Sequence, residues 1–112
     1  MSLTRAEIDG RAWPRREVSI DALGGSVTLR TISLAERFGY LRYVQAHGGA
    51  DPATCDLPAI QAQLVALLVV DDGGRRLWAD DDPALQQLPA ALMDELFVAC
   101  QEWAGLSPAP KA

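Results

Sequence analysis

At 112 residues, with 49% hydrophobic and 22% charged residues, the chain has the composition of one folded globular domain, which excludes a low-complexity or disordered polypeptide. Its longest apolar run, Leu64 to Val70, is too short to cross a bilayer, and Glu7 and Asp9 stand where a signal peptide would have its apolar core, so the expected location is the cytosol, with no membrane partner. The net charge of −5 is uneven: residues 1–45 hold seven arginines against five acids, and residues 46–112 hold ten acids against Arg75, Arg76 and Lys111, which excludes most of the chain as a nucleic-acid ligand.

Residues 1–16 show little periodicity, and Trp13 before Pro14 favours extended backbone, so they are predicted to form a flexible arm whose Trp13 docks on its own core, with a neighbouring subunit as the alternative. Glu17 to Thr31 alternates apolar and polar residues around Gly24 and Gly25, the pattern of a β-hairpin. A two-residue loop at those glycines sets Ile20 opposite Leu29 and Ala22 opposite Val27. One face is then Val18, Ile20, Ala22, Val27 and Leu29, and the other Ser19, Asp21, Thr28 and Arg30. A lone hairpin is marginal in water, so this face must pack on helices or join a larger sheet, within the chain or in a homo-oligomer.

Ser33 and Glu36 form a capping box that starts a helix. Leu34, Phe38, Leu41 and Val44 recur at spacings of four and three and are predicted to be its core stripe, flanked by Tyr40 and Tyr43 with their hydroxyls in water; His47, Gly48 and Gly49 end it. A loop runs from Gly48 to Cys55. The next helix begins near Leu57, with Pro58 in its first turn and Asp56 before it. Ile60, Leu64, Leu67 and Leu68, widened by Val65, Val69 and Val70, leave it almost no polar face, so it should be central or covered by a partner. Leu67 to Val70 also reads as a strand.

Asp71 to Gly74 is a turn, Arg75 to Trp78 a short extended piece, and Ala79 to Gln87 a loop or single helical turn opened by Pro83. A calcium loop starting at Asp71 fails, because Gly73 and Arg75 fall where oxygen ligands belong and Arg76 where glycine is needed. Pro89 opens the last helix, with Leu92, Leu96, Ala99, Cys100 and Trp103 inward, and Gly105 ends it. Residues 107–112 are predicted to be a frayed tail. The fold class expected is α+β, an N-terminal hairpin followed by three main helices in one helix-dominated domain over residues 17–106.

No chemical motif emerges. Cys55, Cys100 and His47 lack zinc-ligand spacing, and His47 with Cys55 lacks an oxyanion motif or an orienting partner. Without an export signal both cysteines are expected as free thiols. Gly24-Gly25 and Gly73-Gly74 are not followed by the Lys and Ser/Thr of a phosphate loop. Asp80 to Asp82 lie in an exposed loop where nothing raises a pKa. The expectation is a non-enzymatic protein with no catalytic, metal or cofactor residues.

The order of parts, and above all Val69 to Trp78 followed by Asp80 to Asp82 and then Leu88-Pro89 leading to Leu96-Phe97, resembles the tail assembly chaperones of long-tailed phages and prophages. The resemblance implies a protein that binds the aggregation-prone tape measure protein and helps recruit tail tube subunits, with a longer frameshifted product common in the family. Apolar residues Val69, Val70, Leu77, Trp78 and Phe97 are then the expected partner-binding set, with the acidic surface keeping the complex soluble. A structural tail-completion or head-tail connector protein and a small oligomerising bacterial domain are the alternatives.

Overall fold

The computed structural model describes residues 2–48 and 55–106; the predicted loop residues 49–54 and the tail over 107–112 lie outside them. Among the described residues the architecture is α+β, a three-stranded antiparallel sheet with four helices. In chain order it runs α1 (Arg5–Asp9), β1 (Arg15–Ile20), β2 (Gly25–Arg30), α2 (Leu34–His47), α3 (Leu57–Leu68), β3 (Val69–Val70) and α4 (Ala90–Ala104).

The arm is more ordered than its sequence implies. Thr4 and Glu7 form a second capping box, with the Thr4 hydroxyl accepting from the Glu7 amide and the Glu7 carboxylate accepting from the Thr4 amide, and this holds the single turn of α1. No residue of α1 is buried. Arg15 and Arg16, assigned to the arm, already belong to β1. Trp13 does not dock on the core as expected; it is 57% exposed.

The hairpin forms with a different loop. Asp21–Leu23 make a 3-10 turn closed by Gly24 at φ 64°, so Ile20 faces Gly25, Val18 faces Val27 and Arg16 faces Leu29. The cause lies in α4: the Glu95 carboxylate accepts the Asp21 and Ala22 amides at 3.0 and 2.9 Å and stabilises the wider turn. Ile20 thus moves from Leu29 to Gly25, a shift of four positions. An even shift keeps the same side chains on the same pleat face. Ile20 and Leu29 are buried and Val18 and Val27 partly so, while Ala22 leaves the sheet for the exposed turn.

A third strand completes the sheet. α3 runs to Leu68, and the backbone becomes extended at Val69 and Val70, which pair antiparallel with Leu29 and Thr28, giving the order β1-β2-β3. Both readings of this stretch therefore hold in succession, helix and then strand. α3 is central, as its pattern required: eight of its twelve residues are buried, from Ala59 to Leu68, and it packs against α2 on one side and α4 on the other. α4 starts after Pro89 and ends at Gly105 in the left-handed conformation at φ 71°. Leu92, Met93, Leu96 and Cys100 point inward, and the Trp103 indole N–H donates to the Arg30 carbonyl at 3.0 Å. The single helical turn expected after Pro83 is a 3-10 turn through Gln87 that buries Leu85.

Direct passage from α3 into β3 leaves the last helical carbonyls without amide donors. Two arginines supply them. Arg30 Nε donates to the Leu67 carbonyl at 2.8 Å, and Arg76 Nε donates to the Ala66 carbonyl at 2.7 Å. Each guanidinium is held in turn by a carboxylate, Arg30 by Glu36 and Arg76 by Asp80. Cations at this end of a helix also oppose its dipole.

Candidate partner-binding surface

The five residues expected to meet a partner do not form one surface. Val69 and Val70 are β3 itself and are buried. β2 pairs with one edge of this strand, while the other is occupied by the Leu77 amide on the Val69 carbonyl and the bridge from Val70 to Arg76. Trp78 and Phe97 are half-buried against the core. Leu77 alone of the set is exposed, at 50%.

The connector that carries Leu77 is a tight hairpin. Asp71 Oδ1 accepts the Gly73 and Arg75 amides, both at 2.9 Å, and the Asp71 amide donates to the Arg75 carbonyl at 2.8 Å. Gly74 sits at φ 84° with the Arg15 guanidinium pressed against it, and Arg15 Nη1 donates to the Asp72 carbonyl at 3.1 Å. A side chain at Gly74 would meet both the left-handed backbone penalty and that guanidinium. The Asp-Gly segment thus builds a turn and ties it to the start of β1.

The large unsatisfied apolar surface lies on α2, in the stripe predicted to be core. Leu34, Phe38 and Leu41 are 66%, 56% and 41% exposed, while Tyr40, expected at the margin, is 5% exposed. The rotational setting of the helix explains this correction. Glu36, Tyr40, Tyr43 and His47 recur at four, three and four positions and so share one face. At its start, Glu36 takes a two-pronged bond from the Arg30 guanidinium, 3.2 and 2.6 Å, and Arg30 is anchored on the α3 carbonyl of Leu67. That clamp turns the Glu36 side toward α3, and the tyrosines follow it inward. Leu34, Phe38 and Leu41 are left in water, while Val44, the fourth residue of the predicted stripe, is partly buried against the core.

The electrostatics agree with this packing. The Arg30 guanidinium holds the Glu36 carboxyl down at about 2, against the opposing effect of burial, with help from the Ser33 amide. Burial pushes the Tyr40 phenol up to about 12. Tyr43 stacks on His47 at 3.9 Å and reaches Asp81 with its hydroxyl at 3.5 Å, and its pKa is raised by burial and by that carboxylate. The Cys100 thiol, buried, is pushed up to about 12, and both cysteines are free.

Other concave features are small or open. A cleft of about 90 Å³ between Tyr43, Gln63 and Asp81 falls well short of the volume that encloses a small ligand. A shallow groove of about 580 Å³ runs between Trp13, Ile32, Leu34 and Glu36, continuing the α2 stripe past the helix N-terminus. Among the described residues no group of three His, Cys, Asp or Glu side chains is arranged to hold a metal ion, and no helix is long and apolar enough to cross a membrane.

The α2 surface was missed because the helix carries two candidate inward faces, one with Leu34, Phe38, Leu41 and Val44 and one with Tyr40 and Tyr43, and periodicity favours the first. The signal that could have found it is the coincidence of Glu36 and the two tyrosines on one face, with Arg30 six residues earlier. Compared with known proteins, the chain matches no protein-family model, no curated protein and no solved structure.

Proposed function

We propose that this protein is a tail assembly chaperone of a long-tailed phage or prophage, acting in the host cytoplasm. It binds the tape measure protein before assembly, keeps it soluble, and helps bring tail tube subunits to it, without catalysis. The observation that carries the reading is the row of exposed Leu34, Phe38 and Leu41 on α2 in a chain of net charge −5. An apolar row of this kind is the surface a holding protein offers to exposed apolar client segments, and the charge keeps the loaded complex in solution. The resemblance in the order of parts supplies the identity of the client.

The test is co-expression with the tape measure protein encoded beside it. Tagged chain should retain soluble tape measure protein through purification, and tape measure protein expressed alone should precipitate. A neighbourhood without a tape measure gene, or tape measure protein equally soluble without this chain, refutes the proposal. Mass analysis of finished virions separates it from a connector role: a chaperone is absent from the particle and a connector is present.

A further inference from the structure

The row on α2 has a charge pattern as well as an apolar one. At 3.6 residues per turn, Leu34, Phe38 and Leu41 fall within about 60° of arc around the helix, with Arg37 on one flank and Arg42 on the other. All five are exposed. Among the described residues the ion pairs are Arg5 with Asp9, Arg30 with Glu36 and Arg76 with Asp80, so neither Arg37 nor Arg42 is paired there. The one acid of α2, Glu36, faces the opposite way and is taken by Arg30. A chain of net charge −5 thus presents one basic, apolar helix face.

From this we infer that α2 is the docking face for an acidic amphipathic helix of a partner polypeptide. Its apolar anchors lie along Leu34, Phe38 and Leu41, and its flanking carboxylates meet Arg37 and Arg42. A helix laid against a helix places anchors at three- and four-residue spacings, the spacing of the row. The groove beside Trp13, Ile32 and Leu34 extends the track at the N-terminal end of α2, and the Glu36 carboxylate that also lines it is held there by Arg30. A second copy of the chain is a poorer complement, because its acidic helix surface on α4, between Asp94 and Glu102, offers Val98 as its one large exposed apolar side chain, and α1, with Ile8 exposed between Glu7 and Asp9, is five residues long. The inference deepens the chaperone reading and rests on it for the partner being a client polypeptide.

Two synthetic helical peptides of about 20 residues, identical in their leucine spacing, test it, one flanked by glutamates and one by lysines. Fluorescence anisotropy with the full chain reads their affinities. Bulk attraction to a protein of net charge −5 favours the lysine peptide, so a preference for the glutamate peptide by about tenfold reports the local face. Phe38→Asp, at an exposed position, should weaken glutamate-peptide binding about tenfold with an unchanged circular dichroism spectrum. Arg37→Glu with Arg42→Glu should invert the preference. Equal or tighter binding of the lysine peptide overturns the inference. So does insensitivity to Phe38→Asp, or sedimentation showing oligomers that this substitution splits, since a second copy would then own the face. The two readings fail separately. Tape measure protein that co-purifies equally well with Phe38→Asp removes this face and leaves the chaperone, whereas a glutamate-peptide preference without tape measure binding removes the chaperone and leaves the face.

Discussion

Replacing Glu36 with glutamine tests the clamp that orients α2. Glutamine keeps the length of the side chain and an oxygen for the Ser33 amide, now at 2.9 Å, but loses the charge that holds Arg30. A carboxyl titrating near 2 instead of 4.5 would contribute about 3 kcal/mol at neutral pH if fully shielded from solvent. Glu36 is 35% exposed, and screening reduces this to roughly 1–1.5 kcal/mol. The sign follows from the depressed folded-state pKa: the contribution is fully present above about pH 4.5 and is lost as pH falls toward 2. Urea unfolding from pH 7 to pH 2.5 measures it. At pH 7 the Glu36→Gln midpoint should lie roughly 0.5–1 M below that of the parent. Between pH 5 and 2.5 the two curves should converge, because the parent loses the clamp and the variant has none to lose. Parallel curves over that window would show that Glu36 carries no linked stability and would refute the clamp as the element that sets the α2 rotation. A double-mutant cycle with Arg30→Met should return a coupling of about 1 kcal/mol.

The turn at Gly74 gives a second test: Gly74→Ala at φ 84°, against the Arg15 guanidinium, should lower stability by about 1–2 kcal/mol in a thermal melt, whereas Gly24→Asn at φ 64°, in open space, should be within about 0.5 kcal/mol of the parent. Thiol titration gives a third. At pH 8 the native protein should expose Cys55 to a disulfide reagent and protect Cys100, whose buried thiol is pushed up to about 12, and denaturant should release the second equivalent; rapid labelling of both in the native state would contradict the packing of α4 on α3.

Most local elements were legible in the sequence because their causes are local. The capping box at Ser33 and Glu36, Pro58 in the first turn of α3, Pro89 before α4 and Gly105 after it depend on neighbours within four residues, and the structure has each in place. The near-continuous apolar character of α3 placed it at the centre for the same reason: no face of it could remain in water. The capping box at Thr4 and Glu7 was equally local and was overlooked amid the weak periodicity around it.

What the tertiary structure alone decided came from groups distant in the chain. Glu95 on α4 chose the hairpin loop by accepting the Asp21 and Ala22 amides, across more than seventy residues. The even register shift that followed left the buried face intact, so the alternation pattern could not reveal it. β2 drew Val69 and Val70 out of the helix that precedes them and into the sheet, which removed two of the five expected partner-binding residues from the surface. The face that α2 presents follows from Tyr40 and Tyr43 packing on the core together with the ion pair of Arg30 and Glu36, tied to the Leu67 carbonyl. By itself the sequence determined that α2 is a helix with an apolar stripe flanked by two tyrosines, since spacing is written in the chain. Which face meets water depends on where a guanidinium thirty-seven residues from its carbonyl partner comes to rest, and that is a property of the packed fold.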